Sequence, residues 1–166
     1  GVEQVFHHVA IKPGKPVWFG RWVAPASSET ERRNVLVFGL PGHPVSALTA
    51  YQLLVAPTLG FLRGGVFALP STIRGRLAAG VAQRGKRTAY LPCRLLPASG
   101  GGDATPTVEL VPTQGSADLL AAARADGWVV LPPGNYRLAA DAKVHVLVDS
   151  PAPALAAETS TTSVDQ

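Results

Sequence analysis

Apolar positions change their spacing twice along this chain, and those changes divide it. In the first third, Gln4-Val-Phe-His-His-Val-Ala-Ile11, Pro16-Val-Trp-Phe-Gly-Arg-Trp-Val23 and Val35-Leu-Val-Phe38 each predict a strand. Around Pro44 the spacing turns helical, with Val45, Leu48, Tyr51, Leu54 and Val55 recurring along one side. Pro44 suits the first helical position, where its missing N–H has no intrahelical partner anyway. Pro57 predicts an end or kink, because proline lacks the amide and crowds the preceding turn. A short turn of Leu59, Phe61 and Leu62 then leads to Gly64-Gly65. Beyond about residue 66, short β-like runs recur at 74–77, 88–96, 106–111, 127–131 and 143–148, separated by turn-forming stretches such as Ala98-Ser-Gly-Gly-Gly-Asp103 and Pro132-Pro-Gly-Asn135. One helix interrupts them. Ser116 is its expected cap, Asp118 suits its positive end, and Leu119, Leu120 and Ala123 supply its expected apolar face.

The predicted fold class is therefore an α/β layer over residues 1–65, a small C-terminal β-barrel over 66–150, and a low-complexity, disordered tail over 151–166. Three strands and one helix leave a sheet edge unpaired and a face uncovered, which predicts that an N-terminal portion of this layer lies outside the chain. The absence of methionine and the opening Gly1 are expected of a trimmed start or of a piece of something longer. His7 and His8, as strand neighbours, are expected on opposite faces and unable to chelate one metal.

Composition narrows the function. No apolar run is expected to reach the roughly 18 residues of a membrane span, and no basic segment precedes an apolar one as in a secretory leader. One cysteine, Cys93, excludes an internal disulfide and a cysteine-cluster zinc site. A cytoplasmic protein with no membrane partner is the expectation. The net charge is +4, with arginine outnumbering lysine 11 to 4. The basic residues are scattered except at Arg84, Lys86 and Arg87. No stripe interleaves them with aromatics, so nucleic acid is not an expected partner. A small anion accounts for the surplus with fewer assumptions. Between Gln4 and Gly102 the only carboxylates are Glu29 and Glu31, in the polar stretch 26–34 that reads as an exposed loop. That half of the chain has no acidic cluster for a magnesium ion.

Two turns carry the chemistry. Gly39-Leu-Pro-Gly-His-Pro-Val-Ser46 joins the third strand to the helix, and a helix start offers amides and a positive dipole end to an anion. Lys12-Pro-Gly-Lys-Pro16 joins the first two strands. Gly14 permits a sharp turn, the prolines stiffen it, and the lysines are compact charges suited to oxyanions. Loops at strand ends gather at one edge of an α/β layer, so both lysines, the helix start and the Ser46 hydroxyl are expected to converge.

Ala10-Ile-Lys-Pro-Gly-Lys-Pro16 and Val37-Phe-Gly-Leu-Pro-Gly-His-Pro-Val-Ser-Ala47 resemble the molybdopterin molybdenumtransferase family, the molybdenum-insertion enzymes similar to the E domain of gephyrin. Arg87-Thr-Ala-Tyr-Leu91, Gln114-Gly-Ser116 and Ala123-Arg-Ala-Asp-Gly-Trp-Val-Val-Leu-Pro132 resemble its C-terminal barrel. The resemblance covers residues 1 to about 149 and so concerns the C-terminal portion of such an enzyme. It implies insertion of molybdate into adenylylated molybdopterin, releasing molybdenum cofactor and AMP, with magnesium. By matching motif, Lys12, Lys15 and Ser46 become catalytic candidates. Gly14, Pro41, Gly42, His43, Pro44, Arg87 and Ser116 become substrate-binding candidates. The family usually carries Asn where this chain has His43. Its magnesium-binding acids lie in sequence upstream of Gly1, so the segment alone is expected to be inactive, and a homodimer is expected of a complete chain. A non-catalytic scaffold or binding module that keeps the fold is the alternative.

Overall fold

A computed structural model of the protein describes residues 1–23, 34–65, 70–98 and 105–148. The polar loop at 26–33, the glycine run at 99–103 and the expected tail at 151–166 lie outside the described residues.

The first segment makes β1 (Glu3–His7), β2 (Ile11–Lys12), β3 (Trp18–Val23) and β4 (Asn34–Gly39). β1, β3 and β4 form an antiparallel sheet in that order, with Phe6, Phe19 and Phe38 in one cross-strand row. Their rings lie 5.3 and 4.6 Å apart and knit the sheet on one face. In the same register His7 stands opposite Trp18, and Trp18 opposite Gly39. The end of β1, the start of β3 and the end of β4 thus share one edge, from which both candidate loops emerge. The first predicted strand is two strands in fact. His8 takes φ +72°, turns the chain out of β1, and frees β2 to pair with the other half of the molecule.

The helix is longer than Pro57 suggested. α1 (Pro44–Ala50) runs through a π-helical turn (Tyr51–Val55) into α2 (Ala56–Leu62). In that wide turn the Ala56 N–H donates to the Tyr51 carbonyl five residues back. The widening draws the preceding carbonyls away from the Pro57 ring, so the helix absorbs the proline without breaking. The result is a 19-residue helix apolar enough, by length and composition, to cross a membrane, contrary to the expectation that no run would be. Its first turns are nevertheless committed to protein, because Val45, Leu48 and Leu53 pack with Trp128 and Leu147.

The remaining elements are β5 (Thr72–Leu77), β6 (Val81–Gln83), β7 (Thr88–Leu96), β8 (Thr107–Leu110), α3 (Leu119–Ala123), β9 (Gly127–Leu131), β10 (Tyr136–Leu138) and β11 (Lys143–Leu147). β7, β8, β5, β11 and β9 pair in sequence, and β9 returns to β7, closing a five-stranded barrel. Leu77, Ala89, Cys93, Val108, Val129, Leu131, Val144 and Val146 fill it. Burial pushes the Cys93 thiol up to about 12, so it is a packing residue and no nucleophile. On β7, β9 and β11 the alternate residues Tyr90, Trp128, Val130 and Leu147 face outward and seat α1. The two-stranded antiparallel sheet of β6 and β10 is separate from the barrel sheet, and the sequence pattern does not predict it. The expected apolar face of α3 is also corrected: Leu119 and Leu120 are 56 and 67 % exposed, while Ala121 is buried and Ala122 packs inward.

Candidate functional site

A cavity of about 540 Å³ lies at the seam between the two halves. Lys12, Gly14 and Lys15 line it from one connection, Pro41, Gly42 and His43 from the β4–α1 turn, Ser46 from the first turn of α1, and Arg87 and Ser116 from the barrel side. Nine of the ten site candidates therefore meet in one place. Pro44, the tenth, is the first residue of α1 and does not line the cavity.

The lysine loop is held by backbone. The Lys15 carbonyl accepts from the N–H groups of Val9 and Val17 at 3.0 and 2.9 Å, and the His8 N–H donates to the Val17 carbonyl at 2.8 Å. Gly14 has φ +113°, and a side chain there would lie 3.0 Å from Ile11 Cδ1 and 3.4 Å from the Ser46 carbonyl. Glycine thus satisfies both the dihedral and the close approach to α1. The Lys12–Pro13 bond is cis. β2 pairs parallel with β7, Lys12 opposite Ala89, which ties the loop to the barrel.

Arg87 precedes β7. Gln83, buried in β6, donates from its amide nitrogen to the Arg87 carbonyl at 2.9 Å and to the Pro132 carbonyl at 3.2 Å. The Arg87 guanidinium spends one donor on the Ile11 carbonyl at 3.4 Å and keeps the rest. Ser116 sits in a loop organised by Asp118, whose carboxylate accepts from the Gln114 and Ala121 amides, each at 3.0 Å. These amides hold the Asp118 carboxyl below the usual carboxylate range. Asp118, rather than Ser116, is the cap of α3. The Ser116 carbonyl instead accepts the Val45 N–H at 3.0 Å.

That last bond alters the expected anion site. Pro44 has no N–H, Val45 donates to Ser116, and Ala47 donates to the His43 carbonyl at 2.9 Å. Only Ser46 keeps a free amide in the first turn. The residue is 5 % exposed and lines the cavity, where its hydroxyl is a donor open to a ligand.

Tyr90, Thr113 and Trp128 also line the cavity and were not foreseen as site residues. Burial raises the Tyr90 phenol above its ordinary value, so it stays a donor through neutral pH. Its signal was present: β7 and β9 are apolar on both faces, which implies cover outside as well as inside. His7 and His8 do not face apart. Their rings stack at 3.7 Å and 22°, because the left-handed His8 backbone folds its ring back over its neighbour.

The cavity lining contains three permanent cations and no carboxylate. Among the described residues no group of three or more His, Cys, Asp or Glu side chains comes together. These residues suit a tetrahedral oxyanion and do not fit a magnesium ion, which wants oxygen ligands.

Comparison with known proteins agrees with this architecture. A family described as a probable molybdopterin binding domain matches residues 1–60, and the MoeA C-terminal region (domain IV) matches residues 74–148. The two matches place the chain in the class that joins a domain of the first family to a C-terminal domain of the second. It is 31 % identical over 150 residues to a molybdopterin molybdenumtransferase of Synechococcus elongatus, covering 88 % of this chain and 32 % of that protein. It is 30 % identical over 135 residues to one of Synechocystis, covering 80 and 28 %. A molybdopterin biosynthesis MoeA protein from Pyrococcus horikosii superimposes with a TM-score of 0.63 at 28 % identity, over 87 % of this chain and 32 % of that one. A molybdenum cofactor biosynthesis protein from Pyrococcus furiosus shares the fold at 22 % identity and the same TM-score, over 89 and 46 %. The chain belongs to the molybdopterin molybdenumtransferase family. It spans about a third of the length of the curated relatives it matches.

Proposed function

We propose that this chain serves molybdenum cofactor biosynthesis by holding molybdate for transfer to adenylylated molybdopterin, with molybdenum cofactor and AMP as products. The observation that carries the reading is the convergence of Lys12, Lys15, Arg87, Ser46 and Ser116 on one cavity without an acid. A tetrahedral dianion gains charge-assisted hydrogen bonds from the ammonium and guanidinium groups and neutral ones from the hydroxyls. The Ser46 amide and the positive end of a 19-residue helix add to the attraction. Tyr90, its phenol raised by burial, is a further donor, and Trp128 adds an apolar wall. Lys12, Lys15 and Ser46 carry the catalytic role in this reading. Gly14, Pro41, Gly42, His43, Arg87 and Ser116 shape or line the substrate pocket, and Pro44 fixes the start of the helix behind it.

The lining has no ligand set for magnesium, so no step is routed through that ion, and the isolated chain binds without turning over. In this reading the active form is a cytoplasmic homodimer that uses small-molecule substrates and neither nucleic acid nor membrane. A carboxylate-free lining also suits the second reading, a binding module that keeps the fold without the chemistry.

Calorimetric titration of the chain with molybdate is the test. Lys12→Ala and Lys15→Ala are each expected to weaken binding by at least about tenfold, the loss of one charge-assisted bond. Unchanged affinity in both variants removes the lysines from the site. Synthesis of cofactor from adenylylated molybdopterin and molybdate, tested in a complete protein carrying this segment, separates enzyme from binding module.

A further inference from the structure

The cavity has one wall whose charge is not fixed. His43 is the N-cap residue of the Pro44–Leu62 helix, with φ −77° and ψ 130°. Its side chain makes no capping hydrogen bond. The ring is solvent-exposed and lines the cavity beside Gly42 and Ser46. An N-cap side chain is ordinarily an acceptor turned back onto the first helical amides. Here the Val45 amide already has its partner in the Ser116 carbonyl, and His43 lines the cavity without a capping bond.

The groups around it are cationic or neutral. Lys12 and Lys15 come from the β1–β3 connection, Arg87 from the start of β7, Tyr90 from β7, and Ser116 from the α3 loop. The nearest acid along that loop, Asp118, lines a different cavity and is occupied by the Gln114 and Ala121 amides. With a dianion seated, a proton on His43 meets opposite charge. Imidazole is the side chain whose charge changes between about pH 5 and 8. Proton and anion therefore help each other onto the site, by thermodynamic reciprocity.

We propose that His43, at the head of α1, makes this pocket take up a proton when it takes up its oxyanion, so that the anion is bound tightly in mild acid and released as the pH rises. The proposal rests on the oxyanion reading of this cavity. It adds that the affinity is set by pH through this one residue, whereas the permanent cations Lys12, Lys15 and Arg87 supply a constant pull.

Calorimetry on the whole chain tests this, with molybdate and, separately, sulfate, at pH 6.0, 7.0 and 8.0 in buffers of different ionisation enthalpy. Both probes stay dianions across that range, so their own titration does not intrude. Binding to the unmodified chain is expected to weaken about three- to tenfold from pH 6.0 to 8.0, with a fraction of a proton taken up at pH 7.0. His43→Asn retains a good N-cap residue. It is expected to bind at the weaker, pH 8 level throughout, with no proton uptake. His43→Lys is expected to bind at the tighter level throughout.

Proton uptake that survives in His43→Asn assigns the proton elsewhere, His8 beside Lys15 being the next group, and overturns this inference while leaving the oxyanion reading intact. So does pH-independent binding by the unmodified chain. Binding of neither anion at any pH removes the oxyanion reading, and this inference falls with it. A pH effect seen with molybdate alone makes the coupling specific to that anion, and the same effect with both makes it a property of charge.

Discussion

At the scale of single residues, the cavity depends on a few positions where only one side chain serves. Gly14 holds φ +113° against Ile11 and the Ser46 carbonyl. Gly14→Ala is expected to cost about 1–3 kcal/mol in urea unfolding, the range for a strained backbone position. It should also weaken molybdate binding, because the lysine loop must lift from α1. Equal stability and equal affinity in the variant show that the loop relaxes at no cost. The role of Gly14 was legible in the sequence, since Pro-Gly between two lysines announces a turn. The His7–His8 stack was not. Strand alternation sends neighbours to opposite faces, and nothing in the residue types signals that His8 leaves the strand with φ +72°. Tyr90 and Trp128 escape for a related reason: the apolar runs of β7 and β9 do not show that their two faces meet two different cores.

Among the secondary-structure elements, the helix and the small two-stranded sheet show what periodicity reaches. Val45 and Leu48 pack as the helical spacing requires, but Tyr51 is 44 % exposed and Leu53, outside the expected stripe, packs inward past the π turn, whereas Thr88–Leu96 and Gly127–Leu131 run as their patterns predict. The helix outlasted Pro57 because a π turn has no sequence signature of its own. β6 and β10, three residues each, are too short to show alternation, yet through Gln83 they fix the backbone of Arg87. Leu119 and Leu120 had the right composition for an inward face, but Asp118 set the phase of α3 and turned Ala121 and Ala122 inward instead. Asp118 thus governs an element and a loop together. Asp118→Ala is expected to lower the thermal midpoint and weaken molybdate binding several-fold, because the Ser116 loop loses both of its amide anchors. Asp118→Asn keeps an acceptor and should recover most of both losses. An alanine variant that unfolds earlier yet binds as before separates the cap from the pocket.

On the scale of the whole molecule, charge and pH act through His8. Desolvation, then His7, then Lys15 lower the His8 imidazole below its ordinary value of 6.5. The folded chain therefore binds that proton less readily than the unfolded chain does. Stability is at its full value above pH 6.5 and is lost as the pH falls from there through the lowered value. Thermal unfolding is expected to show a larger drop between pH 7.5 and 5 for the unmodified chain than for His8→Asn, which tolerates the left-handed backbone. Equal drops assign the effect to other groups. Asp118 stays ionised across that interval and does not contribute.

The β2–β7 ladder has a consequence for time as well as for shape. Ile11 pairs with Thr88 and Lys12 with Ala89, and the Arg87 guanidinium reaches back to the Ile11 carbonyl. Lys12 thus lies in one of two strands bonded to each other, and Arg87 immediately precedes the other. A cavity assembled in advance has nothing to rearrange when its ligand arrives. In stopped-flow mixing, the observed association rate is expected to rise in proportion to molybdate concentration with no plateau, and to fall as salt screens the lysines. A plateau would mean that the walls part and re-form, and that the parallel ladder opens in the unliganded chain.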